Sequence, residues 1–348
     1  GLRMAAEGAQ TFDSLCRDIR AEKFSPIYLL IGEEPYFIDC IAELLTERVV
    51  KEADRDFNQT ILYGSEAKSA DVINAARRFP MMADRQLVLV REAQALTDLE
   101  LITAYARKPL ASTVLVLCCK LKKLDGRRRF TALSTAVKKV GVVFESDKIP
   151  DYRMEAYITA ALKGRSMTAD RKVSAMLNEF VGNDPARLNQ ILDKLQILLA
   201  SQEDKTITPE LIEQNVGISK DYNNFELLHS IVERDTLRAH RIAKYFDSDP
   251  VNHPIQMTLP VLFNYFTNLL ICYYAKDRSE RGLMQTLGLR FPVQVRDYVT
   301  GMKNYKAMKV FHVIHDIRLA DARSKGVDAT SSMTDGEILK ELLHRIMH

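Results

Sequence analysis

The sequence predicts an N-terminal α/β domain, a parallel sheet with helices on both faces, followed by a small helical domain and a C-terminal helical bundle. Two observations carry this. Five short apolar, β-branched runs alternate with helix-spaced segments through the first 148 residues. After Pro150 such runs vanish, and amphipathic helical patterns continue to the C-terminus. Apolar runs separated by helices require crossover connections, and therefore a parallel sheet covered on both sides.

The runs are Pro26–Gly32 (PIYLLIG), Gln59–Gly64 (QTILYG), Arg85–Glu92 (RQLVLVRE), Thr113–Cys118 (TVLVLC) and Val140–Glu145 (VGVVFE). Each has the length and branching of a buried strand. Between them, residues 35–53 place Ile38, Ile41, Leu44, Leu45 and Val49 at helical spacing, Ser69 or Asp71 opens a second helix, and Phe130–Lys139 forms another. Beyond Pro150, helices are expected over 152–163, 168–181 and 185–200, with Thr168 and Asp184 as N-caps and Pro185 in the first turn. A short helix starts at Thr208-Pro209 and runs to Gly217. Further helices are expected over 225–232, 237–246, 255–274, 293–300, 305–324 and 335–347. The segment 255–274 is apolar nearly all round and belongs inside a bundle. Domains are expected at 1–148, 149–219 and 220–348.

Composition narrows the function classes. Hydrophobic residues make up 47% and charged residues 27%, with only 14 Gly and 11 Pro, which fits a globular protein with full cores. No run approaches the ~18 consecutive apolar residues of a membrane span, and the first residues lack the apolar stretch of a signal peptide. Gly1 reads as a cloning scar and Met4 as a candidate native start. The five cysteines (Cys16, Cys40, Cys118, Cys119 and Cys272) contain no CxxC, so neither a disulfide framework nor a zinc ribbon is expected, and a reducing cytoplasm is. A net charge of +3 confines any nucleic-acid contact to local patches.

The turn after the first strand is where a phosphate-binding loop belongs in such a domain. It would need glycines for close backbone approach, a Lys for the outer phosphates and a Ser/Thr for magnesium. Here it reads Gly32-Glu33-Glu34-Pro35. Two acidic side chains stand where the anion would lie, and Pro35 removes a donor at the helix start. The strand at 85–92 ends in Arg91-Glu92, without the paired acids that hold magnesium. Nucleotide binding of the ATPase kind is therefore not expected, and no cofactor is.

The strings PIYLLIGEEPYFID, RRFPMMADRQLVLVREAQ, GNDPARLNQILDKLQILL, ITPELIEQNVG and GLRFPVQVRDYV occur in an order that resembles the delta-subunit family of the bacterial DNA polymerase III clamp loader, in Bacteroides-like versions. The resemblance spans nearly the whole chain. It implies an AAA+-like first domain without nucleotide-binding motifs, a helical lid and a C-terminal collar for oligomerisation. It implies as partners a sliding clamp (the beta subunit), motor and delta-prime subunits, and primed DNA within the complex, with no membrane. The family opens the clamp through an apolar wedge ahead of an Ala-x-Arg stretch. The matching positions are Met81 and Met82, followed by Ala83, Asp84 and Arg85, with Phe79 and Pro80 preceding them. Two adjacent Met suit an irregular apolar groove. The plain alternative is that both cap the domain core.

Lys120, Lys122, Lys123, Arg127, Arg128 and Arg129 fall within ten residues, after the strand at 113–118. Such a cluster is placed to neutralise DNA phosphates, or equally to be a solvated loop or to meet an acidic neighbouring subunit. His312, His315 and Asp316 share a helix without a third converging metal ligand, so no metal site is expected. No catalytic motif appears; enzymatic identity would come only through membership of the polymerase holoenzyme. The competing readings are another clamp-loader paralogue and an ATP-binding AAA+ protein with a divergent phosphate loop.

Overall fold

The computed structural model describes residues 11–122, 124–289, 292–327 and 332–348. The calls on Gly1, Met4 and Lys123, and Arg290 and Phe291 of the GLRFPVQVRDYV string, lie outside the described residues. The chain folds as two compact units, Gly1–Pro150 and Asp151–His348.

The first unit runs α1 (Phe12–Arg20), β1 (Ile27–Gly32), α2 (Pro35–Arg48), α3 (Arg55–Asn58), β2 (Gln59–Tyr63), α4 (Ser69–Ala76), β3 (Gln86–Arg91), α5 (Leu99–Arg107), β4 (Thr113–Lys120), α6 (Thr131–Val140) and β5 (Val142–Ser146). All five strands are parallel, in the order β2-β3-β4-β1-β5. β1 lies inside the sheet between β4 and β5 and is buried along its whole length, because the period-2 alternation sends its side chains into two different cores. Ile27, Leu29 and Ile31 join Val88, Val90, Leu115 and Leu117 under α4, α5 and α6. Tyr28 and Leu30 point the other way, onto the face that α2 covers with its buried Ile38, Ile41 and Leu45. The three-layer α/β expectation holds.

Two details differ from the sequence reading. The helix expected over 35–53 stops at Arg48; Lys51 is extended, and a 3₁₀ turn, Glu52–Asp54, follows. The buried Val49-Val50 pair carries the chain out of the helix, in keeping with the low helix preference of β-branched residues. Helices α1, α3 and α5 lie outside the helical segments named from sequence.

The second unit runs α7 (Asp151–Gly164), β6 (Thr168–Ala169), α8 (Arg171–Val181), α9 (Pro185–Leu199), β7 (Thr206–Ile207), α10 (Pro209–Val216), α11 (Asn224–Val232), α12 (Thr236–Ser248), α13 (Ile255–Tyr274), α14 (Glu280–Leu287), α15 (Pro292–Asn304), α16 (Ala307–Ser324) and α17 (Asp335–Met347). Thr168 is not an N-cap: it pairs with Thr206 in a two-residue parallel ribbon, and Asp170 caps α8 by accepting from the Val173 amide at 2.8 Å. Asp184 and Thr208 cap α9 and α10 as expected, with Pro185 and Pro209 in their first turns.

α13 is long and apolar enough to cross a membrane by length and composition, more so than the unbroken-run criterion allowed. It also carries Thr258, Asn264, Thr267 and Asn268, and its buried Leu262, Phe266 and Leu269 pack into one core with Val313 of α16 and Leu343 of α17. The boundary expected at 219–220 falls inside this unit. It is bridged there by Lys172 on the Glu226 carboxylate at 2.6 Å, and by the Asn224 amide donating to Glu179 at 2.8 Å.

Candidate functional site

Three places in the first unit carry the residues singled out by sequence. The turn after β1 lies at the C-terminal ends of the central strands, the edge where open α/β sheets take ligands. Gly32 has φ +156°, and a Cβ there would overlap the Ser146 carbonyl oxygen. The turn is stitched to β5: the Glu34 amide donates to the Ser146 carbonyl at 3.1 Å, and the Ser146 hydroxyl donates to the Glu34 carbonyl at 2.5 Å. The Glu34 side chain is buried and turns back onto its own helix, where Oε1 accepts from the Tyr36 amide at 3.1 Å. A helix start left open would draw an anion to its amides. Here an internal carboxylate takes one of those amides, and Pro35 has none to offer. Beside it, Arg91 and Lys120 approach Asp39, Lys120 at 2.8 Å, and Glu92 accepts from the Ser65 hydroxyl at 2.5 Å.

The second place is the connection from α4 to β3. α4 ends without a glycine, so its last carbonyls need other partners. Gln86, buried at the start of β3, donates to the Ala75 carbonyl at 3.1 Å and to the Arg78 carbonyl, and reaches the Thr113 hydroxyl of β4 at 2.9 Å. Thr113 in turn donates to the Ala76 carbonyl at 2.6 Å. From this anchored base the chain projects Phe79-Pro80-Met81-Met82. Phe79 is 75% exposed, Met81 60% and Met82 100%. Met82 sits in the left-handed region, φ 55°, uncommon for a side chain of its kind. Arg85 closes the loop with its guanidinium 5.3 Å from the centre of the Phe24 ring. The alternative that both methionines cap the core does not hold.

Sequence reading missed two residues here. Asn58, at the end of α3 and almost fully buried, binds the Met81 backbone from 23 residues away. Its neighbour Phe57 is 73% exposed. An isolated Phe-Asn pair carries no sequence signal of a site; only the fold brings it to the Met81 loop.

The third place is the basic segment, which the fold divides. Lys120 is held by Asp39. Arg127 pairs with Asp147 at 2.9 Å and Glu145 at 3.7 Å. Arg129 donates to the Gln94 carbonyl at 2.7 Å and to the Leu96 carbonyl. Lys122 and Arg128 are exposed and, among the described residues, carry no ion pair. Among the described residues no three potential metal ligands converge; His312 and His315 are exposed, and Asp316 faces Arg345 at 3.6 Å.

The turn after β1, the projecting tip and the divided basic segment all fall inside one match. Residues 28–146 fit the family model described as DNA polymerase III, delta subunit. This stretch is a DNA polymerase III delta-subunit domain. Beyond it, the chain is 24% identical over 273 residues to the DNA polymerase III subunit delta of Bacillus subtilis, covering 76% of this chain and 77% of that one. The solved structure of the Bacillus subtilis DNA clamp loader delta protein matches 97% of this chain and 99% of its own, with a TM-score of 0.51 and 20% identity. The likeness of fold thus extends past the delta-subunit domain through both units. Within the delta-subunit domain, the Phe79–Met82 tip is the place where apolar side chains are most fully given to solvent.

Proposed function

We propose that this chain is the arm of a clamp loader that binds and opens a sliding clamp without hydrolysing ATP itself. The observation that carries the reading is the tip. Phe79, Met81 and Met82 are exposed together on a loop whose base is tied down by buried Gln86, Thr113 and Asn58. A contiguous exposed apolar feature on a braced loop marks a protein-contact site. The flexible, polarizable Met pair suits a groove of irregular shape. Phe57 extends the same contact.

The turn at Gly32–Pro35 supports the second half of the reading. Its helix start is occupied by the Glu34 carboxylate, and Glu33 adds a second negative charge, so a triphosphate meets repulsion where it needs amides. The motor would then be supplied by neighbouring subunits, with affinity for the clamp differing between loader states. The division of the second unit into a lid, 149–219, and a collar, 220–348, belongs to this reading, as do motor and delta-prime partners, DNA replication and a cytoplasmic setting. Among the described residues, contact with primed DNA falls to Lys122 and Arg128, with Lys120, Arg127 and Arg129 serving the fold.

The test is binding of the full chain to the sliding clamp of the same genome. Met81→Ala/Met82→Ala should weaken binding by roughly 100-fold, the scale of a lost apolar anchor pair, and Phe57→Ala by less. Unchanged affinity in the double variant would remove the tip from the contact.

A further inference from the structure

Met82 reaches solvent on a backbone that few non-glycine residues adopt, and the residue before it is held by both ends of its peptide framework. The Met81 amide donates to Asn58 Oδ1 at 2.6 Å, and Asn58 Nδ2 donates to the Met81 carbonyl at 2.8 Å. The same Nδ2 group donates to the Asp54 carbonyl at 3.1 Å, which fixes the amide plane of Asn58 against its own short helix. Asn58 is only 2% exposed, so these bonds are shielded from competing water. A carboxamide is the one small side chain that both donates and accepts from a single planar group. An aspartate cannot donate to the Met81 carbonyl, and an alanine can do neither.

We infer that Asn58 is a positioning residue for the tip, presetting Met81 and Met82 in the geometry in which they are presented. It touches no partner itself. Its contribution is to order the loop before binding, so that the cost of ordering does not come out of the affinity. The inference rests on the clamp-binding reading for its functional consequence and on the hydrogen bonds alone for its structural one, and the two can fail separately.

The experiment uses the full chain and the sliding clamp of the same genome. Affinity is measured by surface plasmon resonance, amide hydrogen exchange by mass spectrometry over residues 79–84, and thermal unfolding on the same samples. Asn58→Ala and Asn58→Asp should each weaken clamp binding about tenfold, the scale of losing a preorganised contact loop, and should speed exchange in 79–84. Leu133→Ala, a truncation in the core under α6, serves as the stability control. It should lower the unfolding temperature while leaving affinity and 79–84 exchange unchanged. Wild-type affinity in both Asn58 variants, beside weak binding by Met81→Ala/Met82→Ala, would overturn the positioning role and leave the tip standing. If the methionine variant binds normally, the clamp reading falls, and exchange alone decides: unchanged protection of 79–84 in the Asn58 variants overturns the inference, and loss of protection confined to that segment upholds it.

Discussion

Gly32 and Met82 are both residues in the positive-φ half of backbone space, and for opposite reasons. At Gly32 the constraint is packing: a Cβ would overlap the Ser146 carbonyl oxygen of the neighbouring strand. Gly32→Ala should therefore cost about 3 kcal/mol of stability, the scale of a backbone clash combined with conformational strain, and urea unfolding followed by circular dichroism would measure it. A cost under about 0.5 kcal/mol, typical of an open surface site, would mean the turn relaxes freely. At Met82 nothing packs against the side chain, and the neighbouring Met81 peptide is the part that is hydrogen-bonded. The family resemblance made Met81, Met82 and Phe79 legible, through their place ahead of Ala83-Asp84-Arg85. Asn58 and Phe57 stayed invisible, because a residue that acts by bonding a backbone 23 positions away leaves no local pattern.

Among the elements, the strands were the most legible, since five branched runs bounded by Gly or charge have few other ways to be buried. Helix ends were legible where a side chain caps them, as at Asp184 and Thr208, and misread at Thr168, where a polar residue before a helix joined a ribbon instead. The basic segment after β4 shows the limit of composition. Six cations in ten residues look alike in sequence, yet Lys120, Arg127 and Arg129 are engaged with Asp39, Asp147 and the carbonyls of Gln94 and Leu96. The acceptors lie 20 to 81 residues away in the chain, beyond the reach of any local rule. Lys122→Glu/Arg128→Glu should lower the slope of log affinity for primed DNA against log salt by roughly 2, the equivalent of two lost phosphate contacts. The measurement is fluorescence anisotropy of the assembled loader across a salt series, and an unchanged slope would assign the pair to solvent.

Over the whole molecule, buried thiols and phenols set a limit on the alkaline side. Burial pushes the Cys16 thiol from 9.0 up to about 11 and the Cys118 thiol up to about 12, and raises Cys119 as well. In the second unit burial lifts the Tyr305 phenol from 10.0 to about 12, against the opposing pull of Arg234, and it raises Tyr265 too. These groups stay neutral when folded and ionise earlier when unfolded, so the unfolded chain binds fewer protons above pH 9. Their stabilisation is complete below that pH and declines as pH rises toward 12. The urea midpoint should accordingly fall steadily between about pH 9 and pH 11 for both units. A flat midpoint over that range would show these groups to be solvated.

The Glu34 carboxylate on the Tyr36 amide has a consequence in the language of mass action. A domain that binds nucleotide gains RT ln(1 + [L]/Kd) of stability, so its melting point records how much nucleotide surrounds it. A side chain that supplies the anion from within is present at unchanging effective concentration, so on the proposed reading the turn would need no nucleotide to be ordered. Adding millimolar Mg-ATP should leave the thermal midpoint of the isolated chain where it was; a rise of several degrees would mean the carboxylate can be displaced. In the proposed assembly, whose other members respond to the nucleotide pool, such a subunit would be a fixed reference, a part whose own shape would carry no memory of the energy state around it.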